Sequence, residues 1–350
     1  SNRIVGIIQD FLNISPRVIL VFDGGFLPSK AITNLERQKL RDEAARQALA
    51  ALEQGNELEV MKYCKSAVGF TRDQVIEIAQ LIFNKLGQKD NFFCFLSPYE
   101  ADAQLIHLQK CGLAEVLVSI DSDLLLYNPH ECFFRYDSYK KEGFFVTNQD
   151  IYGDAFQNFT TYQLKKACVL SGCDYVKSLP GIGLKTASAK VMQQSSLFVA
   201  CQELMIQRQI TDSTYIQRVL NALFSFSYQT IFNVHQKNYS PLNEIREDSV
   251  LQKYFQQNCG DFDINVDVSA PTQQMRLSLE KLSQIQCQPL IEQQTQIVEE
   301  ENIRVNGDVV TSCGVSVQIE LESGEIDKRF KSILEAVYRE YKSKWRRGDK

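Results

Sequence analysis

Val18-Ile-Leu-Val-Phe-Asp-Gly-Gly25 decides how this sequence is read. Five consecutive apolar residues, mostly β-branched or aromatic, form a short run that suits a strand buried on both faces. The run ends abruptly on a carboxylate followed by two glycines. Two further runs repeat this pattern. Phe92–Leu96 leads through Ser97-Pro98 into Glu100-Ala-Asp102, and Val116–Ile120 leads into Asp121-Ser-Asp123. Helical patterns lie around them, over Ala31–Gln54, Arg72–Leu86, Glu100–Cys111 and Thr161–Ser171. Cys132–Tyr136 and Phe144–Val146 read as a further strand pair at a sheet edge. Strands alternating with helices imply βαβ units and a mainly parallel sheet, so the fold class is α/β. Ligands of such sheets collect beyond the carboxyl ends of the strands.

If the three strands are parallel, Asp23, Glu100, Asp102, Asp121 and Asp123 converge on one edge. Taken singly, each reads as a solvated turn residue or a helix cap that complements the helix dipole. Five at three strand ends point to chemistry. Clustered carboxylates repel one another and raise each other's pKa unless cations neutralise them. Their hard oxygens suit Mg²⁺ or Mn²⁺ rather than zinc. Two such ions about 4 Å apart activate a water and stabilise the leaving oxygen of a phosphodiester.

A sixth acid, Asp174, follows the apolar helix that ends near Leu170. Just beyond it, Leu179-Pro-Gly-Ile-Gly183 opens another helical run that reaches Met192. A Gly-x-Gly turn at a helix start presents free backbone N–H groups to a phosphate, and Lys185 and Lys190 lie on that helix.

The 350 residues are 44% hydrophobic and 23% charged, enough for a large core with additions. The net charge of −5 advertises no global basic field, although a local stripe can coexist with an acidic total. No apolar run is long enough to span a bilayer, and the N-terminus lacks a signal-peptide pattern. The ten cysteines form no CxxC pair and the three histidines lie far apart, so reduced thiols are expected and zinc is not. Ala270–Glu301, rich in Gln and Glu, reads as a linker or weakly ordered segment. Beyond it, Val315–Leu321 suits a strand, and Ile326 to Tyr341 mark one face of a helix ending in the basic Lys342–Arg347.

Six motifs taken together resemble the flap-endonuclease/XPG superfamily of structure-specific 5′ nucleases. They are VFDG at 21–24, LPSK at 27–30, PYEADAQL at 98–105, DSDLL at 121–125, LSGCDY at 170–175 and LPGIGLKTA at 179–187. The DGxxLPSK and LSGCDYxxSLPGIGL forms are most similar to the exonuclease-one branch, and the resemblance runs from about residue 3 to about 245. It implies a PIN-like nuclease core over 1–160, with a helical arch at 29–70 that encloses a single-stranded 5′ end. A helix–two-turn–helix region with trailing helices would occupy 161–260, and a Gln/Glu-rich linker and C-terminal extension 261–350. Asp23, Glu100, Asp102, Asp121, Asp123 and Asp174 match six of the family's seven metal-site carboxylates. Lys30 and Arg37 match the basic residues at the scissile phosphate, and Arg41 matches a basic arch position. Gly181, Gly183 and Lys185 fall in the duplex-gripping element. That element also holds a potassium ion in the family through backbone carbonyls, here those of Ser171, Ser178 and Ile182.

The resemblance further implies a Mg²⁺- or Mn²⁺-dependent 5′→3′ exonuclease and flap endonuclease, nuclear and monomeric, acting on DNA with 5′ ends, flaps or gaps. Repair-protein partners would bind through the C-terminal extension, and no membrane is involved. Residue 3 aligns within the helix before the VFDG strand, so the family's Gly-rich N-terminus, its helical wedge and the strand bearing the seventh aspartate have no counterpart here. Asp10, inside the helical run Ile4–Leu12, does not replace that aspartate. Reduced or absent activity is therefore one expectation. A DNA-binding derivative that does not cleave is the main competing reading. A PIN-type ribonuclease outside the superfamily is a third, against which the LPGIG element argues.

Overall fold

The chain is represented by a computed structural model that describes residues 2–86, 89–152, 156–194, 196–212, 214–244, 258–260 and 268–287, and the backbone of 303–305 and 308–310. Helix α1 (Asn2–Ile14) buries Val5 and Ile8 and leads into strand β1 (Val18–Phe22). A short 3₁₀ turn, Pro28–Lys30, precedes α2 (Ala31–Glu53), which pairs with α3 (Glu57–Ala67) as a helical hairpin. Ala44, Ala48 and Ala51 are the buried residues of α2, small side chains at a spacing that lets the two helices approach closely. Then follow α4 (Arg72–Leu86), β2 (Phe92–Leu96) and α5 (Ala101–Lys110).

β3 (Leu117–Ser119), β4 (Glu131–Asp137) and β5 (Glu142–Thr147) come next, followed by a single turn, α6 (Asn148–Asp150). Four longer helices follow: α7 (Thr161–Ser171), α8 (Leu184–Gln193), α9 (Leu197–Gln207) and α10 (Tyr215–Tyr228). The hairpin β6 (Thr230–Asn233) and β7 (Asn238–Pro241) and helix α11 (Gln273–Ser283) complete the core. A small hairpin joins β8 (Ile303–Val305) to β9 (Asp308–Val310).

The strand pairings correct the expectation of one mainly parallel sheet. Among the described residues β1 pairs in parallel with β2 alone, while β3 pairs in parallel with β4, which pairs antiparallel with β5. These are two sheets, and each packs on its own core. The first lies in a cluster with α1, α4 and α11; the second packs with α7, α8 and α10. Helix α5 joins the two, because Ala103 and Ile106 enter one cluster and Leu108 the other. The five-acid arrangement therefore depends on α5 as much as on strand pairing.

The segment read as a linker contains a packed helix. Met275, Leu279 and Leu282 of α11 are buried against β2, where Cys94 N donates to Ser278 Oγ at 3.3 Å and Leu96 N donates to Ser269 O at 2.9 Å. The Gln-rich composition concealed three apolar residues at helical spacing, enough for a buried stripe. Val315–Leu321 and the helix and basic cluster expected after Ile326 lie outside the described residues. Among the described residues no helix is long and apolar enough to cross a membrane.

Candidate active site

Backbone geometry brings the first two acidic ends together. Ser97 N donates to Phe22 O at 2.8 Å, continuing the β1–β2 ladder past the strands. Gly24 N and Gly25 N then donate to Tyr99 O and Pro98 O at 2.6 and 2.8 Å. Gly24 has no alternative here, since a Cβ would stand 1.9 Å from Ser97 O. This clasp sets the Asp23 carboxylate against the start of α5, where Ala101 N donates to Asp23 Oδ1 at 2.8 Å. Glu100 and Asp102 flank that contact in sequence. On the other sheet Asp121 caps the 3₁₀ turn Ser122–Tyr127 by accepting from Asp123 N at 2.9 Å.

All five acids interact. Burial first, then Asp121, Glu100, Asp23 and Asp123, push the Asp102 carboxyl well above its ordinary range. Asp123 is pushed up to about 7 by burial and by the charges of Asp121 and Asp174, with Lys30 opposing. Asp174 arrives from the loop after α7. Its burial would raise its pKa, but Lys30 and Arg37 outweigh that and hold it below the ordinary value.

Two cations meet these acids from the base of α2. Lys30 Nζ lies 2.5 Å from Glu100 Oε1 and 3.1 Å from Asp174 Oδ2. Burial opposes the Lys30 charge, yet those two carboxylates hold its pKa above the ordinary value. Arg37 Nη2 donates to both carboxylate oxygens of Asp174, at 2.9 and 2.8 Å. Thr33 Oγ1 donates to Asp174 O at 2.5 Å, and Lys177 pairs with Glu36 at 2.9 Å. Residues 30, 33 and 37 share one helical face, so successive turns of α2 dock on the 174–177 loop. Sequence reading did not single out Thr33, Glu36 or Lys177, because their partners lie some 140 positions away.

The remaining predicted residues sit elsewhere. Arg41 is engaged by Gln38, donating from Nε and Nη2 to Oε1 at 3.3 and 2.9 Å, one turn beyond the acids. Gly181 takes a positive φ of 71° in the turn before α8, and Gly183 is the N-cap residue of α8, with Lys185 in its first turn. Lys190 is paired to Glu203 at 2.8 Å, so of the two lysines read on this helix only Lys185 stays with the turn. Arg208, which sequence reading missed, lies over Gly181 and donates to its carbonyl at 3.4 Å. Ser171 ends α7, and Ser178 and Ile182 lie in the loop after it, where Gly172, at φ 102°, packs against Ser178. Asp10 accepts from Tyr136 and Lys141, at 3.0 and 2.5 Å.

The donor chemistry of the acid group fits a hard divalent cation: oxygen ligands only, mutual repulsion, and carboxyls raised by it at Asp102 and Asp123. The shell is not closed, since among the described residues no three His, Cys, Asp or Glu groups stand together as an ion site. Lys30 pairs with Glu100 and Asp174, and Arg37 with Asp174, instead.

Residues 91–174, which carry four of the six acids between Phe92 and Asp123 and the fifth and last at Asp174, match the family model of the XPG I-region. The chain is similar to the flap-endonuclease/XPG superfamily over this region. Curated relatives include exonuclease 1 of Drosophila melanogaster, 27% identical over 252 residues, covering 69% of this chain and 34% of the relative. Exonuclease 1 of Xenopus laevis is 29% identical over 252 residues, covering 69% and 33%. The chain thus spans about a third of the length of these relatives. Among solved structures, flap endonuclease-1 from Methanococcus jannaschii is similar at 21% identity and a TM-score of 0.38, over 76% of this chain and 74% of that one. At that score the likeness adds nothing to the assignment.

Proposed function

We propose that this chain carries the catalytic region of a metal-dependent 5′→3′ DNA exonuclease and 5′ flap endonuclease. The observation that supports it most directly is the pairing of Glu100 and Asp174 with Lys30 and Arg37, beside the mutually repelling carboxylates of Asp23, Asp102, Asp121 and Asp123. Asp23, Glu100, Asp102, Asp121, Asp123 and Asp174 would hold two Mg²⁺ or Mn²⁺ ions. When bound, such ions supply an activated water and stabilise the leaving oxygen of a phosphodiester.

The chain's own residues do the rest. Lys30 and Arg37 sit where a phosphodiester entering the acid cluster would need compensating positive charge, and fixed cations there offset the charge that develops on phosphoryl oxygens. The α2–α3 hairpin serves as the arch beside the 5′ end. The turn at Gly181–Gly183, with Lys185 and the α8 N-terminus, grips the duplex phosphates, with a potassium ion held by the carbonyls of Ser171, Ser178 and Ile182. The protein would act in the nucleus, as a monomer, in DNA repair.

A second reading, binding of DNA junctions without cleavage, has one observation in its favour: Glu100 and Asp174 are paired to Lys30 and Arg37, and among the described residues no three acids are assembled as an ion site. One assay separates the two. The chain is incubated with 5′-labelled flap and recessed-end duplexes, with Mg²⁺ and then with EDTA. Metal-dependent release of 5′ products supports the nuclease. Binding without cleavage, even in Mn²⁺, supports the second reading.

A further inference from the structure

The first half of α2 buries no side chain fully. Ala44, Ala48 and Ala51, the buried residues of the helix, all lie in its second half, and Leu35 and Leu40 are 58% and 70% exposed. Four polar side chains fasten the first half to the core, and all four reach one loop. Lys30 and Arg37 hold the Asp174 carboxylate, Thr33 Oγ1 donates to Asp174 O at 2.5 Å, and Glu36 Oε1 accepts from Lys177 Nζ at 2.9 Å.

That loop is a firm anchor. Cys173 and Val176 are buried in the cluster that holds α7 and α8, and Cys173 N donates to Val176 O at 2.9 Å. Gly172, at φ 102°, closes the loop so tightly that a Cβ would stand 3.0 Å from Ser178 N. The four contacts to it differ in kind. Lys30 and Arg37 touch a carboxylate of the acid cluster. Thr33 and Glu36 do not: one holds a main-chain carbonyl, the other a lysine outside the cluster.

We propose that Thr33, Glu36 and Lys177 are positioning residues, a latch that keeps Lys30 and Arg37 at the edge of the acid cluster. The role rests on the nuclease reading above, in which those two cations serve a phosphodiester. Lys30 and Arg37 cannot hold themselves in place once the Asp174 carboxylate takes another partner. Thr33 and Glu36 grip groups that are not among the six acids, so their hold survives any change of charge in the cluster. The strength of the latch is modest. The Glu36 and Lys177 side chains are 22% and 31% exposed, and water screens such a pair, so losing it should change the docking of α2 only a few-fold.

The test reads the place of Lys30 directly. Its ammonium lies between Glu100 and Asp174, with the side chain 12% exposed, and is thereby shielded from reagents. The full chain is reductively methylated with formaldehyde and borohydride in metal-free buffer, and the rate at Lys30 is followed by mass spectrometry. Single-turnover cleavage of a 5′-labelled flap in Mg²⁺ is measured alongside, with thermal melting as the fold control. Glu36→Gln and Thr33→Val should each speed methylation of Lys30 a few-fold and slow cleavage by a similar factor, without weakening duplex binding. Glu36→Lys, which sets two like charges together, should do more, up to about 100-fold in cleavage. Adding Lys177→Glu to it restores a pair of opposite charge and should bring both rates back close to wild type.

Unchanged methylation of Lys30 in Glu36→Lys, or no recovery in the swapped pair, overturns the proposal. If Glu36→Lys does not fold, Glu36→Gln and Thr33→Val decide, and wild-type methylation in both overturns it. A wild type that cleaves no DNA, with these methylation changes present, upholds the latch while removing the nuclease reading. Cleavage by the wild type with Lys30 methylation unmoved in every variant keeps that reading and overturns the latch.

Discussion

Lys30 Nζ stands 2.5 Å from Glu100 Oε1, close enough to occupy the place that a metal ion would take beside that oxygen. The ammonium also reaches Asp174 at 3.1 Å, so one side chain partly neutralises two of the six acids. In this arrangement it competes with any cation that the acids bind.

Lys30→Met should therefore separate two properties that a simple loss of fold would move together. Mn²⁺ affinity should rise severalfold, because a competing charge has gone. Cleavage should fall about 10²–10³-fold, the usual cost of removing one preorganised donor from a developing phosphoryl charge. Calorimetric Mn²⁺ titration and single-turnover cleavage read the two. Weaker metal binding in Lys30→Met would contradict the competition.

Asp121→Ala and Asp174→Ala should each reduce cleavage by at least about 100-fold while leaving duplex binding nearly intact, if both belong to the catalytic cluster. Asp174→Ala should in addition loosen α2, since Asp174 anchors Lys30 and Arg37. Hydrogen exchange across 31–40 should accelerate in Asp174→Ala alone. Equal losses of DNA affinity and cleavage in both variants would argue against their roles as metal ligands. Binding should also weaken steeply with salt as phosphate contacts release counterions.

The raised carboxyls make a pH prediction. Asp123 has an ordinary value of 3.8 and is pushed up to about 7 in the folded chain, and Asp102 moves in the same direction. The folded state thus keeps protons that the unfolded chain releases, so this stability is complete below about pH 4 and is lost as pH rises through about 7. Asp174, lowered by its cations, contributes in the opposite sense: its stabilisation is present above its ordinary value and lost as the pH falls through its lowered one. In metal-free buffer Asp123→Asn should gain melting temperature over the wild type as the pH rises from about 4 to 7, and Mg²⁺ should shrink that gain. Parallel melting curves for the two proteins across this range would sink the idea.

Helix α11 should matter to the whole fold. Leu282→Ala and Met275→Ala remove fully buried side chains that pack against β2, and each should cost about 2–5 kcal/mol in urea unfolding. A detached linker would leave the unfolding midpoint unchanged.

Much of the site was legible along the chain because its signals are local. An apolar run that ends on Asp23, another leading to Glu100 and Asp102, and a third into Asp121 and Asp123 announce strand ends carrying charge. Strand β2, α4 and α7 begin and end where hydrophobic periodicity placed them. Helix α11 escaped notice because a Gln-rich composition outweighed three apolar residues whose meaning depends on β2 beneath them. The split into two sheets was equally hidden, since strand runs do not encode their neighbours.

The sequence by itself determined which residues carry charge, which runs are strands, and that six carboxylates and a Gly-x-Gly turn occur in the order of one nuclease superfamily. Only the tertiary structure decided which of these groups touch. It set Lys30 and Arg37 on Asp174, closed the Gly24 clasp over Ser97, and placed the Tyr175 phenol on Glu100 and the Tyr127 phenol on Gln229. The physical reason is range: hydrophobic periodicity and turn chemistry act over a few residues. An ion pair or a buried hydrogen bond forms wherever packing brings its partners within about 3 Å, whatever their separation along the chain.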